Sequence, residues 1–377
     1  MNRMGIIGGG VVGLSIAWEF LRRGGQVVLI ERGEIGRQAS WAGAGMLPAA
    51  NDETAIHPIE QLTAISNRLY PEWSAELQQT TGIDNGWRKC GGIHLARTAG
   101  EVASLAGFKR HCQEYQIPFE TLDAEALRND LPILVAPASI RQALWVPGEA
   151  QVRNPRHLMA LTAACRQRGA VIVEHCNNFS FDISGDRVVG IRTSTDRFEF
   201  DQLCLAAGAW TGQIAERLGE SLPMIPVRGQ MLLFRFPHPP FQPIVNEGSR
   251  YIVPRPDGYV LVGSTTEEVG FDDSTTEEKL TELQTWVSSL FESFDEGRLA
   301  RAWAGLRPAS FDGFPYIGQL PRWQNVWTAA GHFKTGLQQA PATAIALVDW
   351  IETGQSAIDL SPFAPSRIGR LDAPLAT

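Results

Sequence analysis

Arg301-Ala302-Trp303-Ala304-Gly305-Leu306-Arg307-Pro308 carries two arginines at even spacing, and a guanidinium forks onto a carboxylate with two parallel hydrogen bonds while staying charged at any working pH. In an extended strand Arg301, Trp303, Gly305 and Arg307 share one face, so spacing alone does not choose between the two cations. Tyr251, in Tyr251-Ile252-Val253-Pro254-Arg255, offers a hydroxyl, although the same pattern suits a strand aromatic packed on its neighbours. Gly331 to Gly336 precedes a helical run from about Leu337 to Trp350, and the N-terminus of such a helix stabilises negative charge. At the other end of the chain, Gly8-Gly9-Gly10-Val11-Val12-Gly13 is a glycine turn of the kind that cradles phosphates.

The elements around that turn make it a dinucleotide fingerprint. Met4 to Ile7 reads as a short buried strand, Leu14 to Arg23 as a helix, and Gln26 to Ile30 as a second strand ending at Glu31. Gly8 permits the tight turn, Gly10 lets the backbone approach a pyrophosphate, and Gly13 lets the helix lie close on the strand. Val11 and Val12 stand at the helix start, whose free N–H groups and positive dipole end face the phosphates. Glu31, followed by Arg32, stands where a carboxylate accepts hydrogen bonds from both ribose hydroxyls, which favours an unphosphorylated adenosine ribose. The loop from Gly36 to Met46 concentrates small side chains, which let backbone approach a flat ligand; a close-packed helix start would use the same residues.

A chain of 377 residues, 44% apolar and 20% charged, can bury a substantial core in two domains. A net charge of −8 with no Lys/Arg run excludes a nucleic-acid footprint. No stretch approaches the roughly 18 apolar residues needed to cross a bilayer. The N-terminal apolar region is broken by glycines and holds the fingerprint rather than a cleavage site, so a cytoplasmic protein is expected. Cys90, Cys112, Cys165, Cys176 and Cys204 show no CxxC spacing and read as reduced, mostly buried thiols, while the scattered histidines make a metal site unexpected.

Leu62, Ile65 and Leu69 mark a helix over Ile59 to Thr80. Residues 86–149 mix a strand at Gly91 to Ala96, a helix near Val102 to Tyr115 and the proline-broken segment Leu131 to Pro147. The α/β signal then returns with a helix from about Arg156 to Arg168, a strand from Ala170 to Glu174 and a hairpin-like stretch from Phe179 to Phe200. The apolar strand beginning at Leu203 runs into Gly208 and a helix, and suits a parallel sheet buried on both faces. Residues 226–305 change to alternating strands, among them the hairpin Tyr251 to Val262 with its Pro-Asp-Gly turn. An amphipathic helix carrying Leu280, Leu283, Val287 and Leu290 follows the capping box Thr275-x-x-Glu278. The expected architecture is α/β: a Rossmann-like nucleotide-binding domain assembled from residues 1–85, 150–225 and 306–365, interleaved with an α+β substrate-binding domain on a mixed β-sheet from residues 86–149 and 226–305. The site belongs in the cleft between them.

Several separated motifs agree in order. The fingerprint, Ala44-Gly45-Met46-Leu47, Tyr251 to Arg255, Trp303 to Pro308, and Gly331-His332-Phe333 with Gly336-Leu337 behind it resemble the D-amino-acid oxidase family of flavoproteins, most closely its glycine oxidases of thiazole (thiamine) biosynthesis. The likeness extends over nearly the whole chain. It implies the D-amino-acid oxidase/glutathione reductase type of fold and a non-covalent FAD, with the fingerprint on the pyrophosphate and Glu31 on the ribose. Gln38, Ala39, Ser40, Ala44, Gly45 and Met46 would line the flavin. Gly331, His332, Phe333, Lys334, Thr335, Gly336, Leu337 and Gln338 would close over it, with Asn178 meeting the adenine through its backbone and Gly208 beside the cofactor.

The same resemblance selects Arg307 for the substrate carboxylate, with Tyr251 and Lys334 as further contacts. It implies oxidative deamination of glycine, sarcosine or D-alanine: hydride leaves Cα for flavin N5, O2 accepts the electrons to give hydrogen peroxide, and an imine is released. Geometry and desolvation do this without a general base. A homotetramer is implied as well.

Two positions depart from the family. Lys334 stands where relatives usually carry arginine, and Thr266 where they often carry a large apolar residue; lysine does not fork onto a carboxylate, which bears on substrate preference. Trp41 looks like an extra residue in the flavin loop, and no cysteine near Arg307 to Gly336 is available to bind flavin covalently. The alternatives are a D-amino-acid or N-methyl-amino-acid dehydrogenase passing electrons to a quinone or other carrier, a non-catalytic flavin-binding protein, and a plain NAD dehydrogenase, which the first 31 residues fit equally well.

Overall fold

The structure of the chain, a computed structural model, describes residues 3–135, 139–291, 294 and 297–370; residues 136–138 of the expected proline-broken segment lie outside this range. Strand β1 (Arg3–Ile7), helix α1 (Val11–Arg22) and strand β2 (Gln26–Ile30) follow the order read from the glycines. Helix α1 begins three residues before the expected Leu14, directly after its N-cap Gly10. It is buried nearly all round because it is sandwiched between the sheet and other helices, which is where a helix apolar on every side must lie.

The chain continues through α2 (Ala39–Ala42), β3 (Met46–Leu47), α3 (Pro58–Thr81), β4 (Arg88–Lys89), β5 (Gly92–Ala96) and α4 (Ala99–Glu114). Next come β6 (Glu120–Thr121), α5 (Ala124–Asp130), β7 (Gln142–Val146), β8 (Ala150–Gln151), α6 (Asn154–Gln167) and β9 (Val171–Val173). The expected hairpin after β9 is a three-stranded antiparallel sheet of β10 (Ser180–Ser184), β11 (Arg187–Arg192) and β12 (Arg197–Glu199). Strand β13 (Gln202–Leu205) and the short α7 (Thr211–Glu216) precede β14 (Met224–Arg235), β15 (Ile244–Glu247), β16 (Arg250–Pro254) and β17 (Tyr259–Gly263). The last elements are α8 (Glu277–Leu290), β18 (Arg298–Ser310), β19 (Tyr316–Gln319), β20 (Val326–Ala330) and α9 (Gly336–Thr353).

Two large sheets organise these elements. The first runs β19-β20-β13-β1-β2-β9 and is parallel except for β19 at its edge. Chain order reverses beside β1, so the carboxyl ends of β1 and β13 flank the crevice in which open α/β sheets bind ligands. Residues of α1, α3, α6 and α9 form the core on one face, while β10–β12 and α7 contribute the core on the other.

The second sheet runs β18-β14-β17-β16-β15-β5-β7-β6 and is antiparallel except for the β15–β5 pair. Side chains alternate across its faces: Leu232, Ile252 and Val262 pack with Leu283, Val287 and Leu290 of α8, whereas Met231, Tyr251 and Trp303 face Ala44 and Met46. Strand β18 continues to Ser310, so Arg307 stands on this sheet although it lies past the expected boundary at residue 306.

The capping box expected at Thr275 is corrected. The N-cap of α8 is Thr276 and makes no capping bond, because its amide donates to Gln230 Oε1 at 2.8 Å and its hydroxyl accepts from Gln230 Nε2 at 3.1 Å. Tertiary partners have replaced the local ones. A complete capping box occurs instead at Thr98 and Glu101, at the start of α4. Among the described residues no helix is long and apolar enough to cross a membrane.

Candidate functional site

A cavity of about 680 Å³ runs from the β1–α1 turn, past the α2–β3 loop, to the open face of the second sheet. At its first end Gly8, Gly10, Val11 and Val12 form the wall. Gly8 has φ +112°, and a Cβ there would overlap the Ala206 carbonyl at the end of β13, so only glycine brings these two strand ends together. Gly13 is off the wall, where a Cβ would overlap the Gly8 carbonyl; its part is the close seating of α1 on β1. The Val11 amide, expected to face a phosphate, donates to Ser40 Oγ at 2.9 Å, which fastens the small-residue loop to the helix start.

Glu31 accepts from the amides of Gly9 at 2.7 Å and Gly33 at 3.0 Å, which fixes its carboxylate at the wall. Each oxygen keeps capacity for one more donor, as a ribose diol requires. The Arg32 guanidinium lies 3.4 Å from the centroid of the Trp210 ring, and desolvation holds its pKa below the ordinary value. Gly208, with φ +56°, borders the cavity beyond β13. Past β9 the wall consists of Cys176, Asn177 and Phe179. Asn178 is exposed and off the wall; its carbonyl accepts from the Cys176 thiol at 3.7 Å.

The middle of the cavity is lined by Gln38, Ala39, Ser40, Ala44, Gly45 and Met46. Sequence reasoning missed what braces this loop. Arg255, buried behind it, donates to the Ala44 carbonyl at 2.7 Å, the Val152 carbonyl at 3.2 Å and Gln151 Oε1 at 2.5 Å. Burial pushes this guanidinium down to about 9. Trp303 Nε1 donates to the Ala42 carbonyl at 3.0 Å, and a Cβ on Gly305 would overlap the Ala42 Cβ, so β18 presses directly on the loop. Trp41 is off the wall, packed edge-on against Trp303 at 5.3 Å with the Arg301 guanidinium 4.7 Å from its ring centroid.

Those contacts separate the two arginines that spacing could not. Arg301 is exposed at the Trp41 ring, whereas Arg307 lines the cavity. The Arg307 side chain lies across Gly229, where a Cβ would overlap it; Nη1 donates to the carbonyls of Thr265 at 3.1 Å and Arg228 at 3.3 Å, and Nη2 to Ser264 Oγ at 2.8 Å. Among the described residues it makes no ion pair. Lys334 reaches the same cavity, and its ammonium is held below the usual lysine value by desolvation and then by the Arg307 charge. Two cations converging without an acid form a site for an anion. Tyr251 completes this end, its hydroxyl 3.4 Å from Met231 Sδ.

Gly331, with φ +86°, and Phe333, with φ +49°, turn the chain from β20 back onto β18, where the Phe333 amide donates to the Pro308 carbonyl at 2.8 Å. His332, Phe333, Lys334, Gly336 and Leu337 line the cavity. His332 is fully buried against Thr343 Oγ1 at 3.1 Å, and desolvation pushes it down to about 4, so it is neutral near pH 7. Thr335 and Gln338 are off the wall: the Thr335 hydroxyl binds within its own turn, and Gln338 donates to the Pro48 carbonyl at 2.8 Å and to Asn67 at 3.0 Å. Thr266 is exposed and also off the wall, so this departure does not shape the cavity. Ser264, Met231 and Asn246 do line it, and no local sequence pattern marked them.

A fingerprint at the switch point of a parallel sheet, with an anion site facing it from a second sheet, defines a dinucleotide-dependent oxidoreductase. Residues 3–350 match the DAO family of FAD-dependent oxidoreductases, and the chain belongs to that family. It is 34% identical over 367 residues to the glycine oxidase of Pseudomonas putida, covering 97% of this chain and 98% of that one. It is 30% identical over 366 residues to the bifunctional protein ThiO/ThiG of Trichormus variabilis, covering 96% of this chain and 54% of that one. The crystal structure of glycine oxidase from Geobacillus kaustophilus superposes with a TM-score of 0.89 at 31% identity, covering 97% of this chain and 99% of that one. The residues present fit FAD: the glycine cradle admits a pyrophosphate, Glu31 suits the ribose, and the cavity continues past Met46 far enough to hold a ring system.

Proposed function

We propose that this protein is an oxidase of glycine and other small amino acids or amines such as sarcosine and D-alanine, releasing an imine. The observation that carries this reading is the pairing of Arg307 and Lys334, cations without an acid partner among the described residues, at the end of a cavity whose other end is the dinucleotide fingerprint. The family membership and the full-length similarity to glycine oxidases support it. When bound, FAD supplies the two-electron acceptor for the hydrogen leaving Cα, and molecular oxygen takes those electrons on to hydrogen peroxide.

The chain's own residues bind and orient. Arg307, held rigid by Ser264, Thr265 and Arg228, takes the carboxylate with a preset fork, and Lys334 adds a point charge beside it. The Tyr251 ring and Met231 exclude water from the substrate's apolar side. His332, its Nε2 against Thr343 on α9, is neutral, so no imidazolium opposes the cationic character that grows on the oxidised carbon. Asn177 and Phe179 as adenine contacts, two domains drawn along the two sheets, and supply of the imine to thiazole formation belong to the same reading, the last supported by the similarity to ThiO/ThiG.

The test is an absorption spectrum of the purified protein, followed by anaerobic addition of glycine, sarcosine or D-alanine and then a peroxide assay in air. Bleaching of a flavin band and peroxide equal to substrate consumed are expected. Absence of flavin, or a flavin that none of the three bleaches, overturns the reading, and bleaching without peroxide moves it to a carrier-linked dehydrogenase.

A further inference from the structure

Glu149, in the turn between β7 and β8, is buried although it stands beside the cavity rather than in it. Its Oε1 lies 2.6 Å from His94 Nε2 on β5, and its Oε2 lies 3.5 Å from Asn246 Nδ2 on β15. The pair Gly91-Gly92 admits this acid. A Cβ on Gly92 would overlap the Glu149 carboxylate, and the Glu149 carbonyl accepts from the amides of Cys90 at 3.1 Å and Gly91 at 2.9 Å. The His94 ring is clamped from behind by Phe108, centroid to centroid 4.4 Å.

A carboxylate only accepts hydrogen bonds, so both His94 Nε2–H and the Asn246 amide N–H turn toward Glu149. Asn246 therefore turns its Nδ2 side to Glu149 and His94, each 3.5 Å away, and its carbonyl oxygen is the group turned to the cavity that it lines. Sheet register locates this oxygen. His94, Asn246, Tyr251, Gly263 and Met231 are cross-strand partners in one row, about 4.8 Å apart from strand to strand. Asn246 is thus the immediate neighbour of Tyr251, while the Arg307 guanidinium reaches Ser264, next to Gly263, on the other side of Tyr251. Among the described wall residues the only carboxylate is Glu31, at the far end of the cavity.

We propose that Asn246, oriented by Glu149 and His94, accepts an N–H from the substrate amine, so that the site reads its substrate as a carboxylate on the Arg307 side and an amine on the Asn246 side. This rests on the amino-acid reading above. The orientation matters chemically. An acceptor engages an amine N–H and leaves the nitrogen lone pair free to form the C=N bond, whereas a flipped amide would hold that lone pair with its own N–H. Asn246 is the substrate contact; Glu149 and His94 are positioning residues.

The test compares glycine with acetate, which has the carboxylate and no amine, on the FAD-loaded protein under anaerobic conditions. Asn246→Leu is expected to raise the half-saturating glycine concentration for flavin bleaching about tenfold and to slow bleaching, while acetate, followed by perturbation of the flavin spectrum, binds within about twofold of wild type. Glu149→Gln, which can donate where Glu149 accepts, is expected to shift glycine in the same direction by less and to spare acetate; should it fail to fold, Asn246→Leu decides alone. Loss of glycine and acetate together, or no change in either, overturns the proposal. A wild-type protein that binds acetate yet is bleached by no amino acid overturns instead the reading on which it rests.

Discussion

Arg307 Nη2 donates to Ser264 Oγ at 2.8 Å, and with the carbonyls of Thr265 and Arg228 this hydroxyl fixes the guanidinium before any substrate arrives. Preorganisation of this kind contributes to affinity by removing rotamers that binding would otherwise have to freeze. Ser264→Ala is therefore expected to raise the KM for amino acid several-fold, by about 1 kcal/mol, with the flavin spectrum unchanged. Arg307→Ala should cost about 2–5 kcal/mol of substrate affinity and keep the flavin, and Arg307→Lys should recover only part of it because an ammonium does not fork. Steady-state kinetics beside a flavin-content measurement checks both, and Arg307→Ala kinetics equal to wild type would remove Arg307 from the site.

At the fingerprint, Gly8→Ala places a Cβ against the Ala206 carbonyl on backbone at φ +112°, so the variant is expected to purify without flavin or not to fold. Glu31→Gln is the milder probe. It exchanges one charge-assisted acceptor for a donor beside the Gly9 or Gly33 amide, and FAD affinity should fall by about 1.5–3 kcal/mol. Recovery of flavin fluorescence on dilution measures it; an unchanged dissociation constant would detach Glu31 from the ribose.

Two buried histidines make the fold sensitive to acid. Burial pushes His157 and His332 from an ordinary 6.5 down to about 4. Between those values the unfolded chain binds protons that the folded rings refuse, so their contribution is complete above 6.5 and is lost as pH falls toward 4. By pH 5 each ring should cost on the order of 2 kcal/mol of stability. Urea unfolding near pH 7 and pH 5 tests this, with His157→Phe expected to flatten the dependence; a slope that His157→Phe leaves unaltered would assign it elsewhere.

Lys334 should show itself in alkali. Desolvation and the Arg307 charge hold it below the usual lysine value, so the ammonium is present at neutral pH and is lost as pH rises, sooner than for an exposed lysine. Acetate affinity is expected to weaken over that rise. Lys334→Arg should abolish the alkaline limb because a guanidinium stays charged, while Lys334→Met should bind acetate weakly with no limb. An alkaline limb that survives in Lys334→Arg would belong to some other group.

Much of the first sheet was legible because its signals are local. The strand, glycine turn, helix and Glu31 at the end of β2 all fall within 31 residues, and Gly13 answers to a contact inside that unit, the Gly8 carbonyl. The capping box at Thr275 failed for the opposite reason: Gln230, far away in sequence, supplies both bonds that a local cap would have made. Motif position locates the stretches of backbone that hold Asn178, Thr335 and Gln338 but not which side of each meets the cavity, and none of the three lines it.

By itself the sequence determined the nucleotide fingerprint, the alternation of α/β and β-rich segments, and a pair of arginines on one strand face. By spacing alone it could not separate Arg301 from Arg307, a choice that the family resemblance made; the packing of β18 on the α2–β3 loop is what puts one at Trp41 and the other, about 20 Å along the strand, in the cavity. Nor could it pair His94, Asn246 and Tyr251 across three strands or seat Glu149 on Gly92, since strand register and close approach are set by contacts between segments that lie far apart in the chain.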